Sequence, residues 1–152
     1  DRRSPCLWRH GVSFGGAAVL LASCHPKVKK VIALAPVIDW TVSGPDESFQ
    51  TLREYTEGAF GGAYRGPRKN WEKLKKGNFY SPLHEIKKMN GQKILLFHAE
   101  DDRVVPREPV SLFAQKTGAK IIIKKTGGHL SSRIITYKRN WEIISEFLRN
   151  SL

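Results

Sequence analysis

The sequence predicts an α/β protein in which a mainly parallel sheet carries helices on both faces. Four short segments are apolar, rich in β-branched residues and bounded by turn formers, as expected of strands that are buried on both faces. Helical segments separate these strands along the chain. This alternation is typical of parallel sheets, in which each strand is joined to the next by a crossover helix.

The four predicted strands cover residues 5–8, 31–35, 93–97 and 120–123, and the first of them has the weakest pattern. Helices are predicted over 14–24, 108–117 and 137–152, with an irregular helical region from 47 to 91. The first helix is apolar and rich in helix formers, and Pro26 limits it. At 152 residues the chain has room for one domain, which we place over 1–152.

The chain is strongly basic, with 26 Lys and Arg against 14 acidic residues and a net charge of +12. The basic residues are spread through 27–30, 65–76, 87–93 and 116–125 without a known nucleic-acid-binding motif. We therefore expect a solvated basic surface rather than a nucleic-acid-binding protein. An acidic surface on a missing portion of the parent chain would also account for the excess of basic residues. Attraction to nucleic acid, anionic lipid or an acidic partner is the alternative explanation.

Two cysteines, Cys6 and Cys24, form neither a disulfide framework nor a metal-binding cluster, and no histidines have metal-ligand spacing. We expect Cys24 to be a small buried residue of the first helix, and we expect no metal or organic cofactor. The apolar runs are shorter than a membrane span and no signal peptide is visible, so a cytoplasmic protein with no membrane association is expected.

Residues 11–16, GVSFGG, place a serine among glycines directly before the first helix. A sharp strand-to-helix turn holds a serine in unfavourable backbone angles and needs small neighbours, which Gly11 and Gly15 are expected to supply. The N–H of Phe14 at the helix N-terminus is then placed to stabilise an oxyanion. These features make Ser13 a candidate nucleophile, and an ordinary glycine-rich loop is the alternative.

A serine nucleophile needs a base and a carboxylate that orients the base. HAEDDRVVP (98–106) follows the third predicted strand, and TGGHLSS (126–132) follows the fourth. The carboxyl ends of parallel strands meet at one edge of the sheet, where active sites gather. The order of Ser13, an acidic residue and then His129 is the order found in α/β-hydrolases.

Together these segments resemble the α/β-hydrolase superfamily, and more narrowly its prolyl oligopeptidase-like peptidases and related esterases. GVSFGG is similar to the family's nucleophile turn, and VIALAPVIDW (31–40) resembles the next strand and its exit. SPLHEIKKM (81–89) followed by ILLFHAEDDRVVP (94–106) resembles the segment that carries the catalytic aspartate, and GGHLSS resembles the histidine loop. The likeness covers nearly all of residues 11–152.

The resemblance implies Ser13 as nucleophile, His129 as general base and acid, and a carboxylate among 100–102 that orients the imidazole. In many relatives this acid lies four residues after the strand-end histidine and four before the proline, which selects Asp102. Some peptidases of the family use the first acid of an Asp-Asp-Arg run, which favours Asp101. Asp39, just past the second strand, is a rival acid whose other role is to bond the following loop.

The sequence also departs from the family pattern. Arg9 and His10 stand in a strand that is usually apolar, and Ala99 stands where a glycine is usual. The four strands that precede the nucleophile turn, and the loop that gives the second oxyanion donor, have no counterpart. We therefore expect the C-terminal part of a catalytic domain, associated with a missing N-terminal segment or with another chain.

The expected activity is hydrolysis of a peptide or a carboxylic ester through an acyl-enzyme, and an inactive or incomplete domain that binds partners through its basic surface is the alternative. The aromatic-rich insert at about 40–80 either walls the substrate or packs between helices. We expect His10, His25, His84 and His98 to be ordinary polar or packing residues. Arg103 either binds substrate or is solvated.

Overall fold

The chain folds as a four-stranded parallel sheet with helices on both faces. This computed structural model describes residues 7–63, 65–67 and 69–150. The strands are β1 (Leu7–Val12), β2 (Val28–Leu34), β3 (Ile94–Ala99) and β4 (Lys120–Lys124), and they lie in the order β1-β2-β3-β4. The helices are α1 (Ser13–Ala22), α2 (Phe49–Phe60), α3 (Lys69–Lys75), α4 (Arg107–Thr117) and α5 (Lys138–Arg149). Short 3₁₀ segments cover Gly61–Ala63, Ile86–Lys88, Gly91–Lys93 and Ser132–Thr136.

The two central strands separate two hydrophobic cores. Successive side chains of a strand point to opposite faces of the sheet. In β2, Val31 and Ala33 pack with α1 and α4, whereas Ile32 and Leu34 pack with α5 on the other face. The predicted arrangement of helices on both faces is therefore confirmed.

The predicted strands agree with the structure to within a few residues, except for the first. Residues 5 and 6 of that prediction lie outside the described residues, and β1 runs on to Val12. Trp8, Arg9 and His10 are all exposed in β1. The expectation that every strand is buried on both faces is wrong for β1 and for β4, because these two strands form the edges of the described sheet.

The first helix ends earlier than predicted, at Ala22 instead of residue 24. Ser23 follows as the C-cap and its hydroxyl donates to the carbonyl of Leu20 at 2.6 Å. Cys24 therefore lies in the following turn and is exposed, so the expectation of a buried Cys24 is wrong. Cys6 lies outside the described residues.

The aromatic residues between 40 and 80 divide into two groups. Trp40 and Trp71 are each 3% exposed and pack in a cluster with Phe14. Tyr55 and Phe60 of α2 are 71% and 61% exposed. Trp40 and Trp71 therefore fit the expected packing role. Tyr55 and Phe60 are exposed and remain candidates for contact with a substrate. Tyr64 is outside the described part of the chain.

The topology brings three segments to one edge of the sheet. All strand pairs are parallel, so the carboxyl ends of β1, β3 and β4 lie on the same side. Ser13, residues 100–105 and residues 125–129 follow these ends directly. Among the described residues, no helix has both the length and the apolar composition needed to cross a bilayer.

Candidate active site

Ser13 occupies a strained turn between β1 and α1. Its φ is +51°, a left-handed value that is uncommon for a residue with a side chain. The strand ends at Val12 and the helix begins at Ser13 with no intervening loop. Strain of this kind persists only where the surrounding structure holds it, and it clusters at functional sites.

Glycines next to Ser13 allow the tight turn, but one of them is not the glycine that the sequence suggested. A Cβ on Gly11 would lie 2.1 Å from the backbone oxygen of Gly15. A Cβ on Gly16 would lie 2.7 Å from the Cβ of Pro36. A Cβ on Gly15 would meet nothing within 4 Å. The close approaches therefore require Gly11 and Gly16, and the expected role of the Gly15 position is wrong.

Phe14 contributes a backbone N–H and an aromatic ring beside Ser13. It lies in the first turn of α1, where backbone N–H groups have no partner within the helix. Its ring packs against Trp40, with ring centroids 4.5 Å apart. This packing fixes the start of the helix. Because the Phe14 N–H has no partner within the helix, it can donate to a ligand at the strand end.

The structure pairs His129 with Asp102. The Nδ1 atom of His129 lies 3.0 Å from Oδ2 and 3.3 Å from Oδ1 of Asp102. An ionised carboxylate can only accept, so Nδ1–H donates and Nε2 is left as the acceptor in the neutral ring. The ring is partly exposed, whereas the Asp102 side chain is fully buried.

Backbone N–H groups stabilise the Asp102 carboxylate. Oδ1 accepts from the N–H of Val104 at 2.9 Å and from the N–H of Val105 at 3.0 Å. Burial alone would raise the pKa of Asp102, but the hydrogen bonds from His129, Val105 and Val104 outweigh burial and hold this pKa below its ordinary value. Asp102 is therefore ionised at neutral pH.

Asp101 bonds the histidine loop instead of the imidazole. Its Oδ1 accepts from the N–H of Gly128 at 2.8 Å, and its Oδ2 accepts from the N–H of Gly127 at 3.2 Å. Both glycines have positive φ, +146° and +57°. The two neighbouring acids thus have separate contacts: Asp102 holds the ring of His129, and Asp101 holds the backbone just before it.

His98 lies beneath this pair with its side chain fully buried. Its Nε2–H donates to the carbonyl of Val105 at 2.9 Å, and the same atom is 3.6 Å from Oδ2 of Asp102. Burial lowers the pKa of His98, although Asp102 and the Val105 carbonyl act in the opposite direction. A neutral His98 therefore supports the loop that wraps Asp102.

Ser13 and His129 line the same cleft at the sheet edge. This cleft has a volume of about 560 Å³, and Tyr55 and Phe60 of α2 lie along it. The two polar side chains make no direct hydrogen bond to each other in this structure. Such bonds are often long in unliganded enzymes and tighten when substrate binds.

The other candidate residues have different surroundings. Asp39 accepts hydrogen bonds from the N–H and hydroxyl of Thr41, at 2.9 and 2.7 Å. His10 packs against Trp8 on β1, with ring centroids 5.8 Å apart. Arg103 pairs with Asp46 at 2.9 Å in an exposed contact. Asp39 thus bonds its own loop and not His129, and Arg103 forms an ion pair at the surface.

The two remaining histidines are surface residues. His25 accepts from the N–H of Lys27 in the turn after α1, and His84 is exposed. Within the described ranges, no group of three or more His, Cys, Asp or Glu side chains is arranged to hold a metal ion. The loop-binding role of Asp101 and the packing role of Gly16 could not be predicted from the sequence, because both depend on contacts with residues that are distant in the chain.

Comparison with known proteins identifies the family and the fold. The model of the prolyl oligopeptidase family matches residues 6–150. No curated protein is similar enough to the chain to count as a relative.

Solved structures share the fold at low sequence identity. Dipeptidyl peptidase 4 from Porphyromonas gingivalis is 22% identical, with a TM-score of 0.64 over 95% of this chain and 19% of that one. Acylaminoacyl peptidase from Pyrococcus horikoshii is 22% identical, with a TM-score of 0.64 over 100% of this chain and 25% of that one. An α/β-hydrolase from Penicillium sp. sh18 is 17% identical, with a TM-score of 0.65 over 95% of this chain and 63% of that one.

The chain thus spans about a fifth and a quarter of the length of the two peptidases. It corresponds to part of their structures, in agreement with the partial α/β-hydrolase fold that the sequence predicts. Since the family model covers nearly the whole sequence, the chain belongs to the prolyl oligopeptidase family, a family of hydrolases.

Proposed function

We propose that this chain carries the nucleophile, base and acid of a serine hydrolase that cleaves peptide or carboxylic ester bonds. The observation that carries the proposal is the hydrogen bond of 3.0 Å between His129 and the buried Asp102, on a ring that shares a cleft with the strained Ser13. An imidazole that is oriented by a carboxylate and shares a cleft with a serine hydroxyl is the arrangement that activates a serine.

The proposed reaction begins with attack by Oγ of Ser13 on the substrate carbonyl. Nε2 of His129 takes the proton from Oγ, because Nδ1 is engaged by Asp102. The carbonyl oxygen gains negative charge and is stabilised by the N–H of Phe14 and the positive end of α1. Asp102 stays ionised and stabilises the imidazolium.

The second half of the reaction releases both products. The imidazolium gives its proton to the leaving amine or alcohol as the bond to the carbonyl carbon breaks, which leaves an acyl group on Ser13. Nε2 then takes a proton from a water molecule that attacks this acyl-enzyme. When the acyl bond breaks, the proton returns to Oγ of Ser13, and the acid product departs.

We also propose that β1 pairs with a further strand, from a longer polypeptide or from another chain. β1 pairs only with β2 among the described strands, and its side chains are exposed from Trp8 to His10. An open edge of this kind invites strand pairing. Light scattering of the isolated 152-residue chain at moderate salt is expected to show association, and a well-behaved monomer would contradict this proposal.

The proposed activity is tested by labelling the full-length protein with a fluorophosphonate. Ser13→Ala is expected to abolish labelling, because the probe reacts only with an activated serine. Ser111→Ala, which removes the same hydroxyl from α4, is the matched control and is expected to label like the wild type. Equal labelling of wild type and Ser13→Ala would refute the proposal and favour a domain that acts by binding alone.

A further inference from the structure

An acidic residue lies where the two cavities next to Ser13 meet. Glu47 and Ser13 line both the cleft of about 560 Å³ that contains His129 and a smaller cavity of about 40 Å³. Asp39 lines the smaller cavity as well. No Lys or Arg from the described part of the chain lines either one. This is notable because Lys and Arg outnumber acidic residues by 26 to 14 in the chain.

Glu47 differs from its acidic neighbours in its contacts. Asp46 pairs with Arg103, and Asp39 is bonded by Thr41. The half-buried Glu47 has no such hydrogen bond or ion pair with any residue that the structure describes. A partly desolvated carboxylate gains more from a cationic partner than an exposed one does, because water screens it less.

Aromatic rings flank the same cleft. Tyr55 and Phe60 are exposed aromatic residues of α2, and both line the cleft together with Glu47. The face of an aromatic ring attracts a guanidinium or ammonium group. The cleft therefore combines two features that bind organic cations, a carboxylate and exposed aromatic residues.

We propose that Glu47 and these rings form a subsite for a cationic group of the substrate, such as the side chain of an arginine or lysine residue next to the scissile bond. The subsite's part in catalysis rests on the proposed hydrolase function of Ser13. Binding of a cation does not depend on that function, because it requires only the cleft. The net charge of +12 repels cations at long range, so the preference arises from contacts inside the cleft.

Binding is tested with benzamidine, a cationic aromatic probe, against neutral benzamide of the same shape. The protein is the full-length chain with Ser13→Ala, so that no reaction occurs, and dissociation constants are measured by calorimetry. Benzamidine is expected to bind about tenfold more tightly than benzamide, and Glu47→Gln is expected to remove this difference. Glu72→Gln makes the same change at an exposed site on α3 that lines neither cavity, and it is expected to preserve the difference.

Reactivity is tested with two phosphonate esters that differ only in an arginine-like or a norleucine-like side chain. The arginine-like ester is expected to label wild type about tenfold faster, and Glu47→Gln is expected to equalise the rates by slowing the cationic ester alone. Failure of both esters to label Ser13 would refute the hydrolase function, and the benzamidine measurement still decides the subsite. Equal affinity for benzamidine and benzamide in the wild type, or a preference that survives Glu47→Gln, would overturn the inference.

Discussion

Replacement of Asp102 by asparagine tests how the acid controls His129. Both backbone N–H groups that bond Asp102 reach the same oxygen, Oδ1, at 2.9 and 3.0 Å. The amide oxygen of asparagine can keep these two bonds. The NH₂ group then takes the place of Oδ2, which lies 3.0 Å from Nδ1 of His129.

This exchange reverses the hydrogen bond to the ring. Because NH₂ can only donate, Nδ1 becomes the acceptor and Nε2 carries the hydrogen. A ring in this tautomer cannot take the proton of Ser13. The expected loss in the rate of attack by Ser13 is about 10⁴-fold, the size of the loss in kcat when the triad aspartate of a serine protease is replaced by asparagine. The loss in stability is small, about 1 kcal/mol, because a neutral bond replaces a charge-assisted one.

Asp101→Asn is the matched comparison at the next position. Its amide oxygen keeps one of the bonds to Gly127 and Gly128 and loses the other, at a cost of about 1 kcal/mol. If the lost bond destabilises the loop conformation that positions His129 by this amount, the population of that conformation, and with it the activity, drops about fivefold. Asp102→Asn is thus expected to be far more damaging than Asp101→Asn.

The assay is the second-order rate of fluorophosphonate labelling of the full-length protein, with thermal unfolding of each variant measured in parallel. Labelling slows when His129 can no longer act as the base. The melting temperature shows whether a slow variant is still folded. Asp102 does not control the imidazole if Asp102→Asn labels within tenfold of wild type, or if Asp101→Asn is the slower variant.

Three further predictions concern stability. Gly11→Ala is expected to destabilise the chain by about 3 kcal/mol, since its Cβ would lie 2.1 Å from a backbone oxygen. Gly15→Ala is expected to stabilise it by about 0.5 kcal/mol, because a Cβ there meets nothing within 4 Å. Urea unfolding of both variants measures these differences. Burial lowers the pKa of His98, so the unfolded chain binds a proton near pH 6.5 that the folded chain does not; stability is therefore full above this pH and falls as the pH drops through and below it. His98→Asn is expected to flatten that pH dependence, and an unchanged slope would contradict the assignment. Arg103→Ala is expected to leave the melting temperature unchanged, because its pair with Asp46 is exposed, and a clear decrease would show that the pair is structural.

The central strands and the order of the elements could be predicted because they depend on local patterns. The apolar runs of β2 and β3 are buried on both faces, so their composition alone indicates them. β1 was harder to delimit, since Arg9 and His10 interrupt its apolar pattern and are exposed at the edge of the described sheet. The position of a strand at the edge of a sheet depends on the whole sheet, and the local sequence of the strand does not specify it.

The position of the site residues at the strand ends followed from the topology, but their individual contacts did not. Spacing favoured Asp102 over Asp101 without showing that each would bond a different part of the histidine loop. Two adjacent side chains on a turn point in different directions, and the direction depends on where Val104 and Val105 place their N–H groups. The surroundings of Glu47 likewise depend on how α2 lies beside Ser13, which local sequence does not specify.

The proposed reaction requires that Ser13 forms a covalent acyl intermediate. The most direct measurement is to mix the full-length protein with an activated ester, quench with acid within milliseconds, and map the peptides by mass spectrometry. We expect one added acyl group in the tryptic peptide of residues 10–27, assigned by fragmentation to Ser13 and absent from Ser13→Ala. An acyl group on another residue, or ester turnover with no acyl group on Ser13, would rule out Ser13 as the nucleophile.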